Sequence, residues 1–160
     1  MTEETLTPAR VWKQMTLAQR QNAALAFWSD EEAGDDQVQA ALLIAQRKKF
    51  RPKSVISLDL DRKAKHLASL GIVPEQIAAR ALIAYHLTRQ RPMMGAFLDA
   101  LGIKHENGLI QEDEVKPDPE KIGPAATVLK TQFPSEDVQL YFSTLLSQDP
   151  DTWGSLRDLS

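Results

Sequence analysis

The spacing of apolar residues is helical over most of this chain. Apolar positions recur three or four residues apart in seven stretches, and no stretch shows the alternation of a strand bounded by turns. We therefore predict an all-α fold of about seven helices, packed as an orthogonal or irregular bundle with no sheet. The predicted helices cover residues 17–28, 38–45, 59–70, 74–89, 92–101 and 122–133, and a seventh begins at 134 or 135 with its apolar face at 138–145. Trp153 and Leu156 are predicted to dock the tail.

Capping and turn-forming residues place several helix boundaries. Thr16 offers a hydroxyl to cap the first helix, and the carboxylate of Asp59 suits the positive end of the third. Pro52 cannot continue the second helix. The turn formers and acidic residues of 104–120, with the Asn107–Gly108 pair among them, predict a long surface connection.

Two short stretches, residues 67–75 and 98–106, share the pattern Leu-x-x-Leu-Gly-Ile-x-x-Glu. In each copy the glycine follows an amphipathic helix, where it can adopt the left-handed conformation at no Cβ cost. In such an ending the isoleucine packs back on the first leucine. We predict two helix ends, so valine at either glycine is expected to lower stability.

Residues 67–82 also have the helix, glycine turn and second helix of a DNA-binding helix-turn-helix. Their second helix, however, is mostly alanine, isoleucine and leucine. A helix that is apolar nearly all round is usually buried in a fold, and a buried helix cannot lie in a DNA groove. This comparison favours the structural interpretation.

Length and composition are those of one soluble globular domain. The chain has 160 residues, of which 42% are hydrophobic and 26% charged. We predict one compact domain over 1–160. A subdivision into N-terminal helices at 1–50 and a main helical core at 54–160 is the alternative.

The chain contains no cysteine. This removes disulfides, thiolate metal sites and cysteine nucleophiles, and it fits a reducing compartment. The N-terminus lacks the apolar region of a secretory signal, and no apolar run approaches the roughly 18–20 residues of a membrane-spanning helix. We therefore expect a cytoplasmic protein, most simply a bacterial one, with no membrane partner.

The net charge of −3 is unevenly distributed. Residues 1–46 carry three basic and seven acidic side chains, residues 47–103 eleven and four, and residues 104–160 five and eleven. A basic middle between acidic ends can mark an anionic partner. The alternative is that the acidic ends pair with the basic middle inside the fold.

A basic segment at 47–65 is the strongest candidate binding site. It comprises Arg47, Lys48, Lys49, Arg51, Lys53, Arg62, Lys63 and Lys65. Clustered cations attract a phosphate-bearing or acidic partner, and Phe50 adds one stacking surface. Cations at the end of a helix are, however, also favoured by its dipole, and Phe50 can equally belong to the core.

A second candidate is a protein-contact surface that joins Phe50 to Arg89, Arg91, Met93 and Met94. Adjacent methionines can serve adaptable protein-binding grooves, although they also fill cores. Gly95, which follows them, permits close approach of another chain.

No catalytic motif or metal-binding spacing is present in the sequence. The three histidines lack HxxH or HExxH spacing, and the acidic stretches 30–36 and 112–120 lack the pattern of an EF-hand loop. We predict no catalytic residue, metal or cofactor. An enzyme is an alternative only if a pocket between helices joins at least two side chains of one set. That set is His66, His86, His105, Arg80 and Arg89.

These features lead to one principal functional hypothesis and two alternatives. We expect a helical protein that acts through protein–protein contacts or as a structural or regulatory module, with a second copy of itself or an acidic protein as partner. A nucleic-acid-associated factor that uses 47–65 is the first alternative, and an enzyme with a pocket between helices is the second.

Overall fold

The computed structural model describes residues 6–106, 108–110 and 116–158. In these ranges the chain forms ten α-helices, one 3-10 helix and one two-stranded hairpin. The helices are α1 (Pro8–Gln14), α2 (Leu17–Ser29), α3 (Gly34–Lys48), α4 (Pro52–Ile56), α5 (Leu60–Ala68), α6 (Glu75–Arg89), α7 (Arg91–Leu101), α8 (Pro119–Gln132), α9 (Ser135–Gln148) and α10 (Pro150–Trp153), with the 3-10 helix at Gly154–Asp158. The strands are β1 (His105–Glu106) and β2 (Leu109–Ile110). The predicted all-α class is confirmed.

The backbone contacts separate the chain into two compact units. The N-terminal unit is Pro8–Thr88. The C-terminal unit is Arg89–Ser160 together with Met1–Thr7. Within Met1–Thr7 the structure describes Leu6 and Thr7. The alternative boundary predicted at 50–54 lies inside the N-terminal unit, and the prediction of one domain over 1–160 stays a prediction.

The core of the N-terminal unit is built largely from alanines and a few large side chains. Small side chains let α2 and α5 approach closely, and these two helices form the most extensive contact of the unit. Trp12 and Phe27 are fully buried, and Trp12 Nε1–H donates a 2.7 Å hydrogen bond to the Leu70 carbonyl. The bond satisfies the one polar atom of the indole ring, so the ring can lie in the core.

The core of the C-terminal unit is aromatic. Phe97 on α7 has ring-centroid distances of 5.6 Å to Tyr141, 5.4 Å to Phe142 and 5.7 Å to Trp153. These distances lie in the range at which aromatic rings attract one another beyond simple burial. Trp153 and Leu156 are buried in the same cluster, as the sequence predicts for the tail.

The prediction of about seven helices was too low. The three helices that it omits, α1, α4 and α10, have seven, five and four residues, and each begins with a proline. Helices this short do not display a repeating apolar stripe. Proline suits the first turn of a helix as well as ending a previous one, and Pro52 does both.

The prediction of no sheet was wrong at one place. Within 104–120, β1 and β2 pair antiparallel, with His105 opposite Ile110 and Glu106 opposite Leu109. Gly108 has a φ of +88°, which fits a tight hairpin turn. Two-residue strands are too short to show alternation in the sequence. Asn107 and residues 111–115 of the predicted surface connection lie outside the described residues.

The two copies of the shared motif end their helices differently. After α7, Gly102 has a φ of +74°, its N–H donates to Asp99 O, and the Ile103 N–H donates to Leu98 O at 2.9 Å. Ile103 and Leu98 are buried in one cluster, so the predicted glycine ending is confirmed there.

The prediction was wrong for the first copy. α5 already ends at Ala68, Gly71 has no left-handed φ, and Ile72 is 62% exposed. The Leu70 carbonyl is instead bound by Trp12. Gly71 therefore occupies a position that does not require glycine.

Candidate functional site

An open groove of about 570 Å³ lies in the N-terminal unit, within the predicted basic segment. We call it the basic groove. It is lined by Phe50, Ser54, Leu58, Arg62, Lys65 and His66. Aromatic, aliphatic and cationic side chains thus share one concave surface.

The end of α3 positions Phe50 in this groove. Lys49 has φ 60° and ψ 38°, the left-handed conformation, and the Phe50 N–H donates a 2.9 Å hydrogen bond to the Ala45 carbonyl. The chain therefore turns sharply after Lys48. The Phe50 ring meets His66 edge-on, with centroids 5.2 Å apart.

Helix α5 supplies the basic side of the groove. Asp59 caps this helix by accepting a 2.9 Å hydrogen bond from the Arg62 N–H, which confirms the predicted start. Arg62, Lys65 and His66 are spaced at i, i+3 and i+4, so they share one face of α5. The cap therefore fixes where α5 begins, and the start of the helix sets which of its residues face Phe50.

Most of the predicted cationic residues are exposed to solvent. Six of the eight are exposed and two, Lys48 and Lys63, are half-buried. Arg62 lies 3.8 Å from the Asp59 carboxylate with both side chains exposed, and Lys63 Nζ lies 5.4 Å from the Trp28 ring centroid. Among the described residues, the other six cations form no ion pair with a carboxylate. Their charge is therefore not neutralised within the described part of the fold.

The cations near the groove affect the protonation of His66. The pKa of His66 is lowered, first by partial burial and then by the neighbouring charges of Lys48 and Arg62. A carboxylate bound beside His66 would oppose this effect.

Residues 50–60, which supply three of the residues that line the basic groove, also carry exposed apolar side chains. Phe50 is 43% exposed, Ile56 50% and Leu60 43%. Large apolar side chains left in water next to cations form a mixed surface that can take both an apolar and an acidic group.

The other predicted contact residues lie in the C-terminal unit, where the two methionines are largely covered. Met93 is fully buried and Met94 packs against the hydrophobic core of the C-terminal unit. Arg91 is half-buried and Arg89 is exposed. Met93 thus fills the core, which was the alternative for this stretch.

The side chains considered for an enzyme have separate surroundings. His86 is buried on α6, where its Nδ1–H donates to Leu82 O at 2.8 Å, and burial lowers its pKa to about 4. His105 Nε2–H donates to Asp99 Oδ1 at 2.7 Å, and His105 Nδ1 accepts from the Gly108 N–H at 3.0 Å. The basic groove contains His66 as the one member of that set.

One polar cluster was not predicted from the sequence. Asp36 is buried, and it accepts hydrogen bonds from Gln76 Nε2 at 2.6 Å and Arg80 Nε at 3.2 Å. It borders a pocket of about 310 Å³ whose walls include Leu42 and Ile77. Gln76 and Arg80 lie four apart on α6, but nothing in the sequence links them to a residue forty positions earlier.

Comparisons with known proteins return no match: no family model, no curated protein and no solved structure matches the chain. In 6–106, 108–110 and 116–158 no three histidine or carboxylate side chains are grouped so that they could hold a metal ion. None of the helices in these ranges combines the length and apolar character that crossing a bilayer requires.

Proposed function

We propose that this protein acts through protein–protein contacts, and that its basic groove binds an acidic segment of a partner protein. The observation that carries the proposal is the placement of exposed Phe50 beside Arg62 and Lys65 in one groove. The partner segment would place one apolar side chain against Phe50 and Leu58 and its carboxylates against the cations.

Charge complementarity supports an acidic partner. Residues 47–65 carry eight basic and two acidic side chains. Surface charges of this kind raise the rate of encounter with an acidic partner more than they raise affinity. The apolar contact at Phe50 would supply the shorter-range part of the binding free energy.

A protein fits this surface better than a nucleic acid does. Proteins that bind single strands stack successive bases on several aromatic rings, whereas the groove has one phenyl ring, Phe50, and the His66 imidazole stands edge-on to it instead of extending a stacking platform. Within residues 47–65 the other exposed large apolar side chains, Ile56 and Leu60, are aliphatic. The whole chain also carries a net charge of −3, while nucleic-acid-binding domains usually have a basic excess.

A second copy of the chain is one candidate source of the acidic segment. Residues 1–7 and 89–160 together carry seven basic and fourteen acidic side chains. Self-association through this route should weaken as salt is added, because screening reduces attraction between exposed charges. Sedimentation velocity at low and high ionic strength checks this expectation.

A peptide-binding measurement tests the proposal. The probe is a fluorescein-labelled acidic peptide with one central leucine, and a matched peptide has serine in place of the leucine. We expect the double variant Arg62→Glu, Lys65→Glu to bind the leucine peptide about tenfold more weakly, because two attractive contacts become repulsive. Phe50→Ala should remove most of the preference for leucine over serine.

The control is Lys13→Glu, which reverses an exposed charge on α1 outside the groove. Its effect should stay below about twofold, because charges far apart in solvent are screened. Equal weakening by both charge reversals would show nonspecific attraction and sink the proposal. Tighter binding of generic DNA or RNA than of the peptide would favour the nucleic-acid alternative instead.

A further inference from the structure

The residue at the end of α3 has an unfavourable backbone conformation. Lys49, with φ 60° and ψ 38°, is the one non-glycine residue with positive φ in the described ranges. A side chain in this region brings Cβ close to the following carbonyl oxygen, which is why glycine is preferred there.

The same chain uses glycine at an equivalent position. α7 ends at Gly102 with φ 74° and ψ 22°, and the Ile103 N–H bonds back to Leu98 O as the Phe50 N–H bonds back to Ala45 O. The two endings share one geometry. Only the ending beside the basic groove carries a side chain at its left-handed position.

The left-handed ending is supported by backbone hydrogen bonds to Ala45 O, as at Gly102, but no side-chain contact within the described part of the fold favours lysine there over glycine. The Lys49 side chain is exposed, and it has no hydrogen bond or ion pair with a described residue. A residue that breaks a local rule without a compensating contact is characteristic of a functional position. Lys49 directly precedes Phe50, which lines the groove.

We infer that Lys49, next to Phe50 at the edge of the basic groove, is a further binding residue, and that its ammonium group contacts a carboxylate of the acidic partner segment. The inference rests on the proposed function. Glycine would end this helix at lower conformational cost, but it would remove the positive charge that lysine provides.

Three variants of the full chain test this inference with the acidic leucine peptide. Lys49→Gly relieves the backbone conformation and removes the charge, Lys49→Asn removes the charge with a residue that tolerates this region, and Lys49→Arg keeps the charge. We expect Lys49→Gly to raise Tm by roughly 2 °C and to weaken peptide binding about threefold. Lys49→Asn should weaken binding similarly, and Lys49→Arg should retain both properties.

The outcomes separate this inference from the proposed function. Suppose that Lys49→Gly binds the peptide as tightly as the wild type while the double variant Arg62→Glu, Lys65→Glu binds it weakly. The proposed function of the groove is then supported, and the inference that Lys49 binds the partner is contradicted. Loss of affinity in Lys49→Arg as well would show that a positive charge at this position does not sustain binding, and would contradict the role of charge. If the wild type does not bind the peptide, both proposals fall.

Discussion

At the residue scale, the surroundings of a glycine decide what it does. Gly102 and Gly71 follow leucine in the same local pattern, but only Gly102 has a left-handed φ. A Cβ added to Gly102 would lie 3.6 Å from Lys121 Nζ, and one added to Gly71 would lie 3.6 Å from Arg20 Nη1. Both distances are ordinary contacts, so the two sites differ in backbone conformation rather than in space.

This difference predicts that alanine lowers the stability of the protein at Gly102 but hardly changes it at Gly71. Gly102→Ala should lower the free energy of unfolding by about 1 kcal/mol, since alanine in the left-handed region costs about that much. Gly71→Ala should change it by less than about 0.5 kcal/mol. Urea denaturation of the two variants checks both values, and equal destabilisation would contradict the structural difference between the two motifs.

His86 should make the protein less stable in acid. Its pKa is lowered to about 4 by burial, while the unfolded chain has the ordinary value of 6.5. Between these values the unfolded state binds a proton that the native state does not, so stability is lost as pH falls from 6.5 to 4. The loss should reach about 3 kcal/mol.

The variant His86→Gln isolates this contribution because glutamine does not titrate. Denaturation of wild type and variant at pH 7, 5.5 and 4 should show a gap that changes by the expected amount over this range. A constant gap would show that His86 is not the titrating group.

At the element scale, the hairpin of β1 and β2 is held against α7 by close contacts. His105 bonds to Asp99 on α7 and to the Gly108 N–H. A Cβ on Gly108 would lie 3.1 Å from both Arg91 O and Met94 Cβ, and one on Gly95 would lie 3.1 Å from His105 Cε1. The two glycines therefore allow strand and helix to approach.

Alanine at Gly108 should weaken this packing. The substitution combines a positive φ of +88° with two short contacts, so we expect a loss of about 2 kcal/mol. Gly123→Ala is the control, because the added Cβ inside α8 meets no side chain or other element within 4 Å; the helix preference of alanine is opposed there by the following Pro124, so stability should change by less than about 0.5 kcal/mol. Thermal denaturation distinguishes the two, and a Gly108→Ala variant as stable as the wild type would contradict the described packing.

The sequence predicted the long elements better than the short ones, for a physical reason. A helix such as α9 repeats its apolar stripe over several turns, and the Thr16 cap of α2 has a recognisable capping box that the structure confirms with bonds of 3.1 and 2.9 Å. α4, with five residues, has no repeat to detect. The Asn107–Gly108 pair indicated a turn, but strands of two residues show no alternation from which the hairpin could be predicted.

At the scale of the whole molecule, charge and topology together define the candidate site. The N-terminal unit carries twelve basic and eight acidic side chains, a balance of +4 within a chain of net charge −3. The sequence placed Phe50 and the cations in one segment. It could not show that the left-handed turn at Lys49 and the Asp59 cap bring Phe50 and α5 to the same groove.

The cluster around Asp36 illustrates the limit of such prediction. Its partners Gln76 and Arg80 reach it only because α3 and α6 meet in three dimensions. Buried carboxylates need partners, but the sequence does not identify them without the fold.

The most direct test of the central claim is amide chemical-shift mapping of the ¹⁵N-labelled full chain during titration with the acidic leucine peptide. The proposal predicts that the largest shifts occur at the groove residues Phe50, Leu58, Arg62, Lys65 and His66, and that they disappear in the double variant Arg62→Glu, Lys65→Glu. Largest shifts at the pocket bordered by Asp36 or in residues 89–158, or no shifts at all, would contradict it.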